Sequence, residues 1–288
     1  MLKQKESIPA VLITGCSSGL GNALARKFVK AGYPTYASAR RLESIEDLKR
    51  EGCYTLRVDV TDHSTIKEAI EIIEKEHQSV GILVNNAAIG IMTPIETIPI
   101  DEVRKQYETN VFGLLAMTQA VLPAMRNAHK GRIVNIGSSG GEFTTPGGGV
   151  YQATKYALCS MNEAMRAELK PFGIDVTMLQ PGAISSKFAS NGAVLDTGEG
   201  PYQELMLGIE KITSSAVKEG APGTWTPDQV AKVAFKAATT HKPKARYRPG
   251  FVAKTLIYLK LWLPYRVWDK MYMSWLTKEG KKIKATLK

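Results

Sequence analysis

A strand that runs into a glycine-rich turn and out again into a helix limits this chain's fold more than any other feature. Residues 9–15 read PAVLITG, an apolar run of strand length. The turn Thr14-Gly15-Cys16-Ser17-Ser18-Gly19-Leu20-Gly21 follows, and residues 20–32, LGNALARKFVKAG, carry helical apolar spacing. Glycine permits a tight turn and close backbone approach. The helix N-terminus offers unpaired N–H groups and the positive end of its dipole to a pyrophosphate. Placed between a strand and a helix, the turn predicts a dinucleotide site rather than an ordinary loop.

Downstream, short apolar runs alternate with longer helical patterns. Residues 34–40 (PTYASAR), 53–60 (CYTLRVDV), 81–87 (GILVNNA), 131–138 (GRIVNIGS) and 173–182 (GIDVTMLQPG) read as strands. Helices are expected near residues 44–51, over 64–76, and over about 100–125 and 150–171; in the second, Ile66, Ala69, Ile70 and Ile73 recur at helical spacing. This is the order of βαβ units and a parallel sheet. Uninterrupted apolar runs such as VLIT and ILV suit strands covered on both faces. The 288 residues are 44% hydrophobic and 23% charged, which excludes a disordered, collagen-like or coiled-coil chain. The expectation is one α/β domain over residues 1–241. Within it, residues 183–227 loosen around Gly192, Gly198, Gly200, Gly220 and Gly223; beside a ligand crevice they read as a substrate lid rather than plain disorder.

The turn is spaced TGxxxGxG rather than GxGxxG. With Asn85-Asn86-Ala87-Ala88, Asn110, Ser138, Tyr151-x-x-x-Lys155 and Pro181-Gly182 in this order, it resembles the short-chain dehydrogenase/reductase family over roughly residues 9–187. The resemblance implies a Rossmann-type, doubly wound parallel sheet of about seven strands, ordered 3-2-1-4-5-6-7, with helices on both faces. It also implies a nicotinamide cofactor held at Gly15, Ser17, Ser18, Gly19, Leu20 and Gly21, with Asp59 at the adenine, Asn86 at the ribose region and Ile184 at the nicotinamide end. The chain departs from the family at Ala88, usually glycine, whose methyl would crowd the backbone near the adenine ribose. Pairing as a homodimer or homotetramer through the two long helices is implied by the resemblance alone.

The choice of nicotinamide follows from charge. A carboxylate at the end of the second strand would grip the 2′-OH of NAD and repel the phosphate of NADP. This chain has Arg40 and Arg41 there, with Ser17 and Ser18 across the turn. Guanidinium forks match a phosphate, so NADP(H) is expected; the plainer reading is a solvated arginine pair heading the next helix.

Tyr151 and Lys155 lie four apart in a helical stretch and so share a face. Ser138 falls at the end of the fifth strand, where open α/β sheets place ligands. A free phenol, with pKa about 10, is a weak acid at neutral pH. A nearby ammonium and an oxidised nicotinamide would favour phenolate. Tyr151 is therefore the expected acid/base, Lys155 its electrostatic tuner and ribose contact, and Ser138 the donor to the substrate oxygen. By resemblance the family's serine lies thirteen residues before the tyrosine, which selects Ser138 over Ser139, and Asn110 is the fourth member, holding a water that links Lys155 to solvent.

Cys16, Cys53 and Cys159 are widely spaced with no CxxC pair, and His63, His77, His129 and His241 are scattered. No disulfide framework and no metal site is expected. The opening MLKQKESIPA has no charged-then-apolar leader before VLITG, so a cytoplasmic protein is expected. The net charge of +11 is concentrated in residues 242–288, with thirteen Lys or Arg against Asp269 and Glu279. A neutral body with a basic extension argues against a nucleic-acid partner. Residues 251–263, FVAKTLIYLKLWL, are too short and too charged to span a bilayer. Trp268, Met271, Tyr272, Met273, Trp275 and Leu276 follow among basic residues. Two readings stand: the segment lies on an anionic membrane or lipid-droplet surface, or it packs on the domain and walls the substrate pocket, with residues 278–288 frayed. In both, Phe188, Met206 and Leu207 join these aromatics around a lipophilic substrate.

YASARRLE and YRPGFVAKTLIYLKLWLPYRVWDK resemble the 1-acyldihydroxyacetone-phosphate reductases, and the body more broadly the 17β-hydroxysteroid and retinol dehydrogenases. The expected activity is NADP(H)-dependent interconversion of a lipophilic ketone and a secondary alcohol. The alternatives are a reductase of polar carbonyls and a non-catalytic dinucleotide-sensing or scaffold protein.

Overall fold

The computed structural model describes residues 8–186, 188 and 200–286. Seven parallel strands form one sheet: β1 (Ala10–Ile13), β2 (Thr35–Ala39), β3 (Tyr54–Arg57), β4 (Val80–Asn85), β5 (Gly131–Ile136), β6 (Ile174–Leu179) and β7 (Arg246–Tyr247). Their order is β3-β2-β1-β4-β5-β6-β7, the doubly wound order expected. Alternate residues of β1 feed two separate cores, Ala10 and Leu12 on one face, Val11 and Ile13 on the other. Burial on both faces accounts for the unbroken apolar strand runs.

One face is covered by α3 (His63–His77), α5 (Gly113–Asn127) and α6 (Gly149–Glu168), the other by α1 (Gly19–Lys30) and the short α2 (Glu46–Arg50). α3 starts where the Asp62 side chain accepts the Ser64 N–H, and buries Ile66, Ala69, Ile70 and Ile73 as their spacing predicts. The expected helix over 100–125 is interrupted. α4 (Ile100–Tyr107) passes into a π-helical turn, Glu108–Phe112, before α5 begins. Asn110 lies in that turn.

A row of buried amides crosses the first of these faces. Asn85 and Asn135 are register partners on β4 and β5. Asn85 Nδ2 donates to Asn135 Oδ1 at 2.9 Å and to Thr118 Oγ1 at 3.0 Å, and Asn135 Nδ2 donates to Asn162 Oδ1 at 3.0 Å.

Part of the expected lid, residues 187 and 189–199, lies outside the described residues. The remainder includes α7 (Gln203–Ala216) and the turn into α8 (Pro227–Thr239), which opens on a capping box between Thr226 and Gln229 and packs beside α1. The stretch read as a basic extension first supplies β7, the seventh strand, then α9 (Phe251–Trp262) and α10 (Tyr265–Thr286), separated at Leu263-Pro264. α10 runs antiparallel to α7: Leu276 meets Gly208, and Gly280 meets Glu204. Residues 278–286 are thus helical, not frayed. Trp268 is buried with Phe143 and Tyr272, and its Nε1 donates to the Thr144 carbonyl at 3.0 Å. Met206 is buried with Leu205, Ile209 and Leu276.

Candidate active site

The glycine turn is built around its neighbours. Gly15 has φ +72°, and a Cβ there would lie 2.8 Å from the Ala87 Cα. At Gly21 a Cβ would meet the Asn86 Nδ2 and the Gly15 carbonyl oxygen, both at 2.5 Å. Gly19, φ +58°, looks across the cleft, where Ser186 would be 3.3 Å from its Cβ. Ser18 is the N-cap of α1 but makes no side-chain cap, which leaves the first-turn N–H groups for a ligand. These residues fit a pyrophosphate. The Cys16 thiol is buried in the turn and pushed up to about 12, so it is inert.

The other expected cofactor residues surround this turn at the strand ends. Asn86 Nδ2 donates to the carbonyls of Thr14 at 2.8 Å and Gly15 at 3.0 Å, while Thr14 Oγ1 accepts the N–H groups of Asn86 and Ala87, each at 3.0 Å. The Asn86 amide therefore braces the turn. Ala88 is half-buried. Asp59, after β3, accepts from the Thr61 N–H at 3.0 Å and the Thr61 hydroxyl at 2.8 Å. Arg40 and Arg41 follow β2, are exposed, and have no acidic partner among the described residues. The Cys16 N–H donates to Ser38 at 2.9 Å, which ties the turn to the strand end two residues before Arg40. Ile184 bridges to Trp225 beyond β6.

The catalytic candidates converge. Ser138 follows β5 and caps a short 3₁₀ turn, its Oγ accepting the Gly140 N–H at 3.1 Å. Tyr151 lies in the first turn of α6, within hydrogen-bonding reach of Ser138. Lys155, one turn on, is buried; its Nζ donates to the Ile136 carbonyl at 3.3 Å and lies 5.7 Å from the Tyr151 ring centroid. Burial pushes the Tyr151 phenol up to about 12, against a lowering hydrogen bond from Ser138. Burial also lowers Lys155 to about 8, the nearby Cys159 working the other way. This departs from the expected tuning: desolvation of both groups, not the ammonium, dominates in the protein itself.

Asn110 is held from both sides. Its Oδ1 accepts the Ile89 N–H and its Nδ2 donates to the Ile89 carbonyl, both at 2.8 Å. Nδ2 also donates to Thr154 Oγ1 at 3.1 Å, and Thr154 Oγ1 donates to the Tyr151 carbonyl at 2.6 Å. The π turn so joins the strand β4 exit to the helical turn carrying Tyr151 and Lys155. Sequence reasoning passed over Thr154, although it sits inside the YxxxK spacing.

It also passed over a charged clamp behind Ser138. Glu142 pairs with Arg246, with Arg248 at 3.0 Å and with the Gln180 amide at 2.9 Å. Burial opposes ionisation of Glu142, but the hydrogen bonds from Gln180 and Arg248 and both arginine charges outweigh it and hold the carboxyl below its usual range. The Arg-Tyr-Arg alternation at 246–248 was the available signal. A groove of about 810 Å³ lies between α3 and α5 among His63, Lys67, Glu71 and Glu74, and none of the catalytic candidates lines it.

With this geometry in place, the sequence matches the short chain dehydrogenase family over residues 9–193, from β1 past β6. The chain belongs to the short chain dehydrogenase family. As a short chain dehydrogenase it is an oxidoreductase. It is 32% identical to an "NADPH-dependent 3-dehydrocapnine reductase" of Ornithobacterium rhinotracheale, over 93% of this chain and 97% of that protein. It is 34% identical to a "3-ketodihydrosphingosine reductase" of Bacteroides thetaiotaomicron, over 88% of this chain and 93% of that one. Among solved structures, a closed serine dehydrogenase complexed with NADP+ superposes with a TM-score of 0.74 at 28% identity, covering 84% of this chain and 95% of that one. Among the described residues of this short chain dehydrogenase, no helix is long and apolar enough to cross a membrane.

Proposed function

We propose that this short chain dehydrogenase is an NADP(H)-dependent reductase of a lipophilic ketone, also able to run the secondary alcohol back. The observation that carries the substrate class is the cover over Tyr151. The Phe188 ring lies 6.0 Å from the Tyr151 ring, centroid to centroid, over Gly90, which has no side chain to separate them. An apolar wall beside the proton donor favours a carbonyl flanked by hydrocarbon. The names of the two relatives, reductases of 3-dehydrocapnine and 3-ketodihydrosphingosine, support the same class.

The chemistry that NADPH would supply at the glycine turn is a hydride for the carbonyl carbon. Arg40 and Arg41 would hold its 2′-phosphate, and the α1 N-terminus its pyrophosphate. Ser138 donates to the substrate oxygen and aligns it. Tyr151, protonated at neutral pH like any phenol, gives its phenolic proton to that oxygen as charge develops. Lys155, anchored on the Ile136 carbonyl, directs positive charge toward the phenolate left behind. Asn110 and Thr154 keep the α6 turn in register with the β4 exit. Pairing of two copies would engage the α4–α5 and α6 surfaces, where Phe112 and Tyr156 are exposed, and attachment to a lipid surface would use the C-terminal helices.

The test is NADPH oxidation across ketone classes, with 3-ketodihydrosphingosine, short aliphatic ketones, sugars and acyl-carrier intermediates as substrates. Turnover confined to the apolar ketones is expected. Preference for a sugar or a carrier-bound substrate would overturn the assignment.

A further inference from the structure

α9 has the composition of a buried helix and the exposure of a surface one. Its sequence, FVAKTLIYLKLW, has only Lys254, Thr255 and Lys260 as polar residues, yet only Ala253 and Ile257 are buried. Phe251 is 80% exposed, Leu261 71% and Trp262 85%, and across the Pro264 elbow Tyr265 is 76% exposed. Tyr258, Leu259 and Val267 extend the same exposed surface. A helix apolar on nearly all sides is ordinarily covered, and a contiguous exposed patch of this kind marks a docking surface.

The charges decide what docks there. Lys254, Lys260, Arg266 and Lys270 stand among these aromatics, with Asp269 the one acidic residue between 251 and 278. Lys260 Nζ lies 3.6 Å from the Tyr265 ring centroid, so the elbow presents cation and aromatic together. A second copy laid face to face would set these cations against one another. Anionic headgroups over hydrocarbon meet both the charges and the rings.

α9 also sits at the reaction cleft. Ala253 packs on Gly182, where a Cβ would lie 3.1 Å from the alanine methyl, and Val252 packs on Gly223, where it would lie 2.4 Å away. Gly182 follows Pro181, whose carbonyl accepts the N–H of Ser139, next to Ser138. This is the carboxyl end of the sheet, where open α/β folds bind ligands. We infer that α9 and the Pro264 elbow lie in the surface of an anionic lipid bilayer and hold the mouth of the cleft against it, so that the ketone enters from the bilayer rather than from water. The entry route rests on the lipophilic substrate proposed above; the docking does not.

The test uses the full chain with phosphatidylglycerol-containing and pure phosphatidylcholine vesicles. Co-sedimentation with the anionic vesicles at low salt, release as salt rises, and poor binding to neutral ones are expected. Leu261→Glu with Trp262→Glu, at exposed positions whose melting temperature is checked, should cut vesicle binding on the order of tenfold or more. Turnover of a short water-soluble ketone should be unchanged, while turnover of a long-chain ketone carried in anionic vesicles falls in proportion to binding. No binding to anionic vesicles, equal binding to both kinds, or a self-association that this double variant abolishes in place of vesicle binding would overturn the docking. A protein that docks but reduces only polar carbonyls would sink the substrate reading and the entry route, leaving the docking intact. One that reduces lipophilic ketones in detergent yet does not dock would sink the docking and the entry route with it, leaving the substrate reading intact.

Discussion

Gly280 on α10 lies so close to Glu204 on α7 that a Cβ in its place would stand 1.7 Å from the Glu204 carbonyl oxygen. One turn earlier the Leu276 carbonyl meets Gly208 in the same way, at 2.1 Å. Two glycines, one on each helix, let the backbones touch. Helix propensity alone would favour alanine at either site by up to about 1 kcal/mol. Overpacking against backbone costs about 1–3 kcal/mol and should win. Gly280→Ala is therefore expected to lower the thermal midpoint, and Gly208→Ala likewise. A raised midpoint in both would mean the helices do not meet there.

Tyr151→Phe removes the phenolic proton and little else. NADPH affinity, read by fluorescence titration, should stay within a few-fold. Ketone reduction should fall by about a hundredfold or more, the usual scale of a lost general acid. Near wild-type turnover on every accepted ketone would refute the acid/base assignment.

Arg40→Asp places a carboxylate where the 2′-phosphate of NADPH is proposed to sit. The expected loss is about 1–3 kcal/mol in NADPH binding, with preference moving toward NADH. Because Arg41 is exposed beside it, the single change should give a partial switch, and Arg40→Asp with Arg41→Ala a fuller one. An unaltered NADPH/NADH ratio of kcat/KM in the double variant would remove the phosphate clamp.

Lys155 gives the protein a pH signature. Burial lowers it to about 8, against an ordinary 10.5. Below pH 8 both folded and unfolded chains carry the proton, and the cost of burying the charge is felt in full. Between the two values the unfolded chain keeps a proton that the folded chain has lost, so stability rises with pH. From pH 8 to 9 the Lys155 contribution should be about 1 kcal/mol, opposed in the same window by the thiols, which ionise near about 8.5 in the unfolded chain but are pushed up by burial in the folded one. The thiols are common to wild type and Lys155→Met, so urea midpoints at the two pH values should move upward in the wild type relative to the variant by that amount. The same change in both proteins would place its origin elsewhere.

How much of this was legible in the chain depended on how local the cause was. The glycine turn, the apolar strand runs and the Ile66/Ala69/Ile70/Ile73 stripe act over a few residues, and the strands and α3 stand where those patterns put them. β7 escaped notice because two residues, Arg246 and Tyr247, carry no periodicity; β6 makes them a strand. The π turn at Glu108–Phe112 has no distinct composition and shows only through the bonds Asn110 makes to Ile89 and Thr154. Gly208 and Gly280 looked like any other glycines, since their meaning lies in a helix about seventy residues away. The upward push on the Tyr151 phenol was not legible because burial is a property of the whole fold and no local pattern carries it.

The row of amides through Asn85, Asn135 and Asn162 bears on how the sheet is assembled. A strand covered on one face is held in alignment by its apolar pattern, because a slip of one residue turns the oily side to water. Here both faces of β4 and β5 are oily, and the same slip would exchange one dry environment for another. Hydrophobicity then discriminates poorly between alignments. The amides do not: displaced by one residue, Asn135 would enter the opposite core away from Asn85 and Asn162, and each stranded group would cost about 1–3 kcal/mol. A few polar atoms thereby act as a proofreading key during folding, rejecting the mispaired strands that a purely greasy interior would accept.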